Sequence, residues 1–371
     1  MNLVLLMQQN LAPDNLKGSI YETLEDRGNY SIFLKGVDLG GYAPILKGKG
    51  VWTVMAPNDE AFASYLKSEY GVNSIEELSV DEIKKLIGFH IMYYSFDKNK
   101  LINFRPEEGD GATDEELMVN AGLYYKFRTK SQDALTLEVV NDTTGQEGYV
   151  YHLERFLPVF SYRMFQTKLI DAKYNYEYFY PSSQWTGASG FNVSNASVDE
   201  YAVVTSSGYL YLVNQVLRPL NTIYDEMKNA GNFKTFLSLY DEYNDYQLDA
   251  NLTLEYGNGT DLYQHYHKAP MANIASEWPV SDYTQMSTLS SVSYSIFAPN
   301  DFYMDFWGLE GTGYPSDSVC LDSVSVESVQ KILLNSVYAS SIVFPEEIKR
   351  GDIKNSNGNI IDFDVDAVPE E

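Results

Sequence analysis

The chain has 371 residues, of which 44% are hydrophobic and 14% aromatic, so it is long and apolar enough to bury two ordinary cores and is not a disordered segment. Its formal net charge of −26 excludes binding driven by nucleic-acid phosphates or anionic lipid surfaces, which would repel it. The single cysteine, Cys320, excludes an internal disulfide framework and a cysteine-based zinc site.

Residues 1–15 are predicted to be an N-terminal leader. They contain the apolar run NLVLLM, which is too short for a signal-peptide core or a membrane span. If the protein is exported, we expect its targeting segment to have been removed already from this chain.

Three segments of the chain occur twice, in the same order. The segments and their repeats begin at Ile20 and Ile223, at Ala56 and Ala298, and at Ser79 and Ser325. The offset between the copies grows from 203 to 242 and then 246 positions, which places an insertion of about 39 residues (242 minus 203) in the second copy. The pattern indicates a tandem duplication with loops of unequal length.

The tetrapeptide Ala-Pro-Asn-Asp is predicted to join a strand to a helix in each copy. In the first copy Pro57 lacks an amide hydrogen, so strand pairing should stop there, and Asn58 is a favourable N-cap. Asp59 then lies in the first helical turn, and Phe62 begins an apolar face. The corresponding corner of the second copy is Pro299, Asn300 and Asp301, followed by an expected apolar stripe of Phe302, Tyr303, Phe306 and Trp307.

The third repeated segment is predicted to be a helix that starts with a capping box. Ser79 is the N-cap and Glu82 the third helical residue, so each side chain can bond to the other's amide. His90 follows on the apolar face of this helix and is predicted to be a buried core histidine rather than a ligand or base. The second copy has Ser336 at the aligned position, so no chemistry that requires the imidazole can operate in both copies.

The segments between Tyr94 and Leu217 are predicted to be mostly strands and turns. The runs ALTLEVV, YAVVTS and GYLYLVNQVL have β-branched and aromatic residues in alternation, and Gly208 is expected in the turn before the last of them. Near the C-terminus, Asn357-Gly358 predicts a hairpin turn. No counterpart of the closing strand is found there, so the second copy is interpreted as incomplete.

These residues resemble the signatures of the fasciclin-like domain. The first signature resembles Thr53–Phe62, the central Tyr-His motif resembles Phe89-His90, and the closing signature resembles Gly208–Pro219. The second copy matches at Ser295–Asp301 but lacks the histidine and the closing strand. The opening segment LKGSIYETLEDRGNYSIF also resembles fasciclin-like proteins of Bacteroidota, which are exported surface lipoproteins.

The resemblance implies an α+β fold of tandem modules, each a β-wedge of two sheets with helices packed along one edge. Its expected domains are 16–219, with a tyrosine-rich insertion near 145–185, and a diverged second domain, 220–371. It implies cell adhesion or scaffolding without catalysis or a cofactor. The implied partners are proteins or polysaccharides at the cell surface, including an outer-membrane glycan-uptake complex, with membrane attachment only through a lipid anchor absent from this chain.

The alternative considered is a glycan-active hydrolase that uses paired carboxylates. The four histidines do not support catalysis or a metal, because His265 and His267 have no acidic or cysteine partner at ligand spacing beside them. The chain also contains no nucleophile-elbow pattern and no glycine-rich phosphate loop.

The tyrosine-rich segment KYNYEYFYP is a candidate binding surface. If it is a strand, period-two spacing projects four rings from one face: Tyr174, Tyr176, Tyr178 and Tyr180. Such a ladder could stack on sugar rings or form a protein interface. In the competing interpretation, the tyrosines cover the core.

Overall fold

The computed structural model describes residues 18–102, 125–131, 133–141, 143–151, 155–187, 190–267, 274, 289–290, 295–304, 325–338, 342–351, 353–355 and 357–362. The chain divides into two units. The first comprises Met1–Gln132 and Glu154–Pro219, and the second comprises Asp133–Leu153 and Leu220–Glu371. The predicted leader 1–15, the fourth histidine His152, and Phe306, Trp307 and Cys320 lie outside the described ranges.

The helices are α1 Ile20–Arg27, α2 Ser31–Leu39, α3 Ala43–Lys47, α4 Asp59–Tyr65, α5 Val80–Gly88, α6 Lys98–Ile102, α7 Tyr162–Lys168, α8 Ala172–Phe179, α9 Ile223–Ala230, α10 Lys234–Asp241, α11 Ala250–Tyr256, α12 Val326–Ser336 and α13 Pro345–Arg350. A π-helical turn follows α4 at Leu66–Tyr70, and a 3-10 turn spans Ile75–Glu77. The strands are β1 Trp52–Pro57, β2 Ile91–Tyr93, β3 Tyr125–Arg128, β4 Thr136–Asn141, β5 Gln146–Val150, β6 Phe156–Ser161, β7 Phe191–Val193, β8 Ala196–Thr205, β9 Gly208–Val213, β10 Asn244–Leu248, β11 Leu262–His267, β12 Leu289–Ser290, β13 Ser295–Ile296 and β14 Val337–Tyr338.

The strands of the first unit pair in the order β3-β6-β7-β8-β9-β1-β2. β1 runs parallel to β9, and the other neighbours in this order run antiparallel. An isolated antiparallel bridge joins Met92 of β2 to Thr129, just after β3. Together with the helices, this sheet confirms the predicted α+β class.

The core of the first unit lies between its helices and β1 and β9. It includes the buried residues Ile20, Leu24, Phe33, Val37, Val54, Ala56, Ile83, Leu86, Ile87, Leu210 and Leu212. The predicted capping box of α5 is present, because the backbone nitrogen of Ser79 donates to Glu82 Oε2 at 2.8 Å and the backbone nitrogen of Glu82 donates to Ser79 Oγ at 3.3 Å. These caps provide hydrogen-bond acceptors for backbone amides that have no partner within the helix.

The second unit contains a separate sheet with the strand order β10-β11-β5-β4. β4 and β5 form an antiparallel hairpin, and β5 pairs in parallel with β11 through Leu262↔Tyr149 and Tyr263↔Val150. β10, α11 and β11 lie between Ile223 and the second corner, the interval in which the repeat offsets predict the insertion. The predicted insertion near 145–185 is divided in the structure, because Asp133–Leu153 belongs to the second unit.

The repeated helices of the second unit have a core of their own. Its buried members are Met227, Phe236, Leu237, Leu239, Tyr240, Ile274, Val329 and Leu333. Strand β13 pairs antiparallel with β14, as β1 does with β2 in the first unit. The predicted turn at Asn357-Gly358 is also formed, since Gly358 has φ +80° and Lys354 bridges antiparallel to Ile360.

The prediction that the tyrosine-rich segment is a strand is wrong, because it is the helix α8. Asp171 is its N-cap and accepts a hydrogen bond from the backbone nitrogen of Tyr174 at 2.6 Å. Its buried residues are Ala172, Asn175 and Tyr176, which have helical spacing. Period-two spacing in a helix distributes side chains around the axis, so the four tyrosines do not share one face.

Candidate functional site

The first Ala-Pro-Asn-Asp corner turns a strand into a helix. β1 ends at Pro57, and the extended backbone of Asn58 precedes α4. Oδ1 of Asn58 accepts a hydrogen bond from the backbone nitrogen of Ala61 at 2.9 Å. Phe62 is fully buried in the core, so the helix is held against the sheet from its first turn.

Asp59 of the same corner caps a second helix, α2. The N-cap residue of α2, Tyr30, makes no side-chain cap bond of its own. Instead, the Asp59 carboxylate accepts from the backbone nitrogen of Ile32 at 2.7 Å and from Ser31 Oγ at 2.8 Å. The backbone nitrogen of Asp59 donates to the carbonyl oxygen of Asn29 at 2.8 Å. The sequence pattern predicts Asp59 only in the first turn of its own helix and does not indicate this second role.

The second corner repeats this arrangement within the second unit. After Pro299, Oδ1 of Asn300 accepts from the backbone amide three residues further on at 3.2 Å. The backbone nitrogen of Asp301 donates to the carbonyl oxygen of Asn232 at 2.8 Å, and its Oδ1 accepts from the backbone nitrogen of Thr235 at 2.8 Å. Thr235 lies in the first turn of α10, the repeat of α2, so both corners cap the equivalent helix.

The expected apolar stripe after the second corner is wrong for its first two residues. Phe302 and Tyr303 are 70% and 61% exposed. Met304 packs against the core of the second unit instead. The repeat offset of 242 aligns Met304 with Phe62, so the inward position is kept while the side chain changes.

His90 is a buried structural residue. Its Nδ1 lies 2.9 Å from the carbonyl oxygen of Leu86, and its Nε2 accepts from the backbone nitrogen of Leu217 at 3.0 Å. These partners require a neutral ring that carries its proton on Nδ1. Burial lowers the pKa of His90 to about 4. At the aligned position Ser336 Oγ donates to the carbonyl oxygen of Ile332 at 2.8 Å, which replaces only the first bond.

The other signature residues also connect backbone segments. Thr53 Oγ1 donates to the carbonyl oxygen of Tyr94 and accepts from the backbone nitrogen of Phe96, both at 2.8 Å. Gly208 pairs with Trp52 at φ +127°, and a Cβ at this position would overlap the Trp52 carbonyl oxygen. The described contacts of these residues stabilise the fold.

Two of the four predicted binding tyrosines face the core of the first unit. Tyr176 is fully buried, and its hydroxyl donates to the carbonyl oxygen of Ser194 at 2.9 Å. Its ring centre lies 5.4 Å from that of Phe160 and 5.6 Å from that of Trp185. Tyr180 is half-buried and packs 5.2 Å from Tyr176. This pair matches the competing interpretation, in which tyrosines cover the core.

The other two tyrosines lie one helical turn apart on the outer side of α8. Tyr174 is 42% exposed and Tyr178 48%. Phe179 is 39% exposed, and its ring meets that of Tyr178 edge-on, with 5.7 Å between the centres. We name these three residues the aromatic face of α8.

The first unit also contains a groove of about 230 Å³ that the sequence patterns did not predict. One side follows α4 and the π-helical turn, and the other follows the segment after β9. The lining includes Ser64, Tyr65, Ser68, Asn214, Gln215 and Arg218. Because its two sides are about 150 positions apart in the chain, no local motif marks it. We name it the Tyr65 groove.

The described part of the chain contains neither a metal-binding cluster nor a membrane-spanning helix. No group of three or more histidine, cysteine, aspartate or glutamate side chains there could hold a metal ion. No helix in the described ranges is both long and apolar enough to cross a bilayer. His265 is described, and its ring contacts that of Tyr246 with 5.1 Å between the centres.

Comparisons with known proteins match one part of the chain to a family. The fasciclin domain model matches residues 28–158, which include the first corner and His90. No curated protein matches the chain. Among solved structures, the FAS1 domain pair of the insect cell adhesion molecule fasciclin I matches at 13% identity and a TM-score of 0.28, over 88% of this chain and 78% of that one. Residues 28–158 of the chain are therefore similar to a fasciclin domain.

Proposed function

We propose that this protein is a non-catalytic adhesion or scaffold protein of the cell surface. Fasciclin domains are associated with cell adhesion and protein interaction, and they are typically extracellular. The finer parts of the proposal are export to the outer-membrane surface or periplasm, a lipid anchor, and an accessory role in an outer-membrane glycan-uptake complex. Its partners are then a surface polysaccharide, a surface protein, or both.

The observation that carries the proposal is the aromatic face of α8. Aromatic side chains contribute large contact areas with few rotatable bonds, and they are enriched where proteins bind partners. The inner side of α8 is fixed by the buried Tyr176 and by Asn175, whose Nδ2 donates to the carbonyl oxygen of Asp171 at 2.7 Å. A rigid helix with exposed rings loses little conformational entropy on binding. These features favour recognition by a preformed surface.

The test replaces only the exposed rings. The double variant Tyr174→Ser, Tyr178→Ser removes two rings of the aromatic face and leaves the buried Tyr176 in place. The matched control is Tyr303→Ser, which removes an exposed helical tyrosine of the second unit. Binding is measured on a glycan array and by crosslinked pull-down from cell envelopes. We expect the double variant to lose the ligand that the wild type and the control retain, whereas equal binding by all three contradicts the assignment of this face.

The alternative function, a glycan-active hydrolase, is not supported by the described residues or by the comparisons. A turnover assay on the polysaccharides that the array identifies tests the non-catalytic part of the proposal. Product release that disappears when one specific aspartate or glutamate is replaced would overturn it.

A further inference from the structure

The Tyr65 groove is shaped by the π-helical turn that follows α4. Leu66 at the start of this turn is buried in the core, and Gly71 ends it in a left-handed conformation at φ +68°. A π-helical turn accommodates an extra residue, and such turns occur frequently at functional sites. Here the turn contains Ser68, which lines the groove, and Glu69, which reaches across to Arg218.

The groove combines an aromatic ring with an internally neutralised charge. The Arg218 guanidinium lies 5.6 Å from the centre of the Tyr65 ring, and its Nη2 lies 2.9 Å from Glu69 Oε1. Tyr70 packs edge-on against Tyr65, with 6.0 Å between the ring centres. Burial raises the pKa of both Tyr65 and Tyr70, so both phenols stay protonated at neutral pH.

On the opposite wall, one end of each amide side chain is hydrogen-bonded to the protein. Gln215 Nε2 donates to the carbonyl oxygen of Ser182 at 3.2 Å, and Asn214 Oδ1 accepts from the backbone nitrogen of Ser197 at 2.9 Å. Among the described contacts, this leaves the carbonyl end of Gln215 and the amino end of Asn214 for a ligand. One acceptor and one donor are therefore positioned on the same wall.

We propose that the Tyr65 groove binds one neutral sugar ring of a surface glycan. The apolar face of a pyranose can stack on the Tyr65 ring, while its hydroxyls match the serine hydroxyls and the two amide ends. Because Glu69 already neutralises Arg218, an anionic or cationic ligand finds no unmatched countercharge. Binding pockets for drug-sized ligands occupy roughly 300–1,000 Å³, so a groove of about 230 Å³ suits a single ring.

The proposal goes beyond the aromatic face of α8 and does not require it. The probes are methyl glucoside, methyl galactoside and methyl mannoside, added to the ¹⁵N-labelled full chain and followed by amide chemical shifts. We expect at least one neutral glycoside to shift the amides of Ser64–Ser68 and Asn214–Arg218, with a Kd on the order of millimolar for so small a ligand.

Two variants with different risks test the groove. Tyr65→Ala removes the stacking ring and should weaken binding about tenfold. Since Tyr65 is partly buried, the second variant, Ser64→Leu, fills the groove from an exposed position and should abolish the shifts with the fold intact. The control is Tyr303→Ser, which replaces an exposed residue of the second unit and should bind the glycoside as the wild type does.

Three outcomes overturn the groove assignment. The first is that no groove amide shifts at the highest soluble sugar concentration. The second is that glucuronate or a short peptide binds more tightly than the neutral glycosides. The third is that the chemical shift changes map only to α8. The last outcome would still support the proposed function through the aromatic face. Conversely, if the groove amides shift but the α8 double variant binds its ligand as the wild type does, only the assignment of the aromatic face is contradicted.

Discussion

At the residue scale, the two corner aspartates explain why the same tetrapeptide occurs twice. Asp59 and Asp301 each accept a hydrogen bond from a backbone amide in the first turn of a helix remote in sequence. The N-cap residue of each of these helices is aromatic, Tyr30 or Phe233, and makes no side-chain cap bond. The corner therefore fixes the position of two helices, one through Asn and one through Asp.

The Asp59 cap can be tested by truncation. We expect Asp59→Ala to lower the free energy of unfolding by about 1–2 kcal/mol, because the Ile32 amide loses its acceptor. Urea unfolding and amide hydrogen exchange at Ile32 measure this effect. Asp59→Asn keeps an acceptor oxygen and should cost less, so an equal loss in the two variants would contradict the capping role.

His90 should make the stability of the first unit depend on pH. Its pKa falls from 6.5 in the unfolded chain to about 4 in the fold, so the unfolded state binds more protons between these values. The stabilisation is complete above pH 6.5 and is lost as the pH falls towards 4. At pH 5 the loss should be about 2 kcal/mol relative to pH 7.5.

The matched variant for this prediction is His90→Gln, which can donate to Leu86 and accept from Leu217 without titrating. We expect it to be less stable than the wild type at pH 7.5 but to lose less stability on acidification to pH 5. Urea denaturation at both pH values, followed by a signal from the first unit, gives the comparison. Parallel pH profiles for the two proteins would show that another group is responsible.

At the element scale, the parallel pairing of β1 with β9 depends on Gly208. The residue starts β9 opposite Trp52 with a φ of +127°, which is strained for any residue with a Cβ. A side chain there would also overlap the Trp52 carbonyl oxygen. The glycine thus permits the approach of two strands that lie more than 150 positions apart in the chain.

We expect Gly208→Ala to lower the free energy of unfolding by at least about 2 kcal/mol, since strain and overlap add. Gly28→Ala is the control, because Gly28 also has a positive φ, +77°, but a Cβ there meets no atom within 4 Å. The control should lose only the conformational part, about 1 kcal/mol. Similar losses measured by urea unfolding would contradict the close-approach argument.

The elements that the sequence predicted correctly are those decided by local chemistry. The capping box of α5 and the strand that ends at Pro57 depend only on residues that are neighbours in the sequence. Such local patterns can be recognised in the sequence alone. The helix α8 was missed because tyrosine favours strands and the period-two spacing suggested one, whereas the Asp171 cap and the buried Tyr176 determine a helix. The Tyr65 groove was missed because it forms only when distant segments meet.

At the scale of the whole molecule, the boundary between the units does not follow the boundary between the repeats. Asp133–Leu153 precedes the end of the first repeat but belongs to the second unit, where β5 pairs with β11. The partner strand β11 lies in the interval where the repeat offsets predict the insertion of the second copy. The predicted domains 16–219 and 220–371 remain a prediction based on the repeats.

Removal of residues 220–371 should leave the hairpin of β4 and β5 without β11. An isolated two-stranded hairpin is marginally stable in water, so its amides should exchange rapidly in the fragment 1–219. The fragment 1–267 restores β10 and β11 and should restore protection. Hydrogen exchange followed by mass spectrometry measures both fragments, and full protection of 136–150 in the shorter one would contradict the assignment.

The parallel pairing of β5 with β11 also has a consequence for folding during synthesis. Val150 is synthesised 113 residues before its partner Tyr263, which at roughly 5–20 residues per second corresponds to a delay of about 6–23 s. During that interval β5 presents an open strand edge, and the other strand of the hairpin, β4, carries Leu137 and Val139, which are exposed even in the finished fold. The nascent chain is therefore most vulnerable to misassociation in the middle of its own translation.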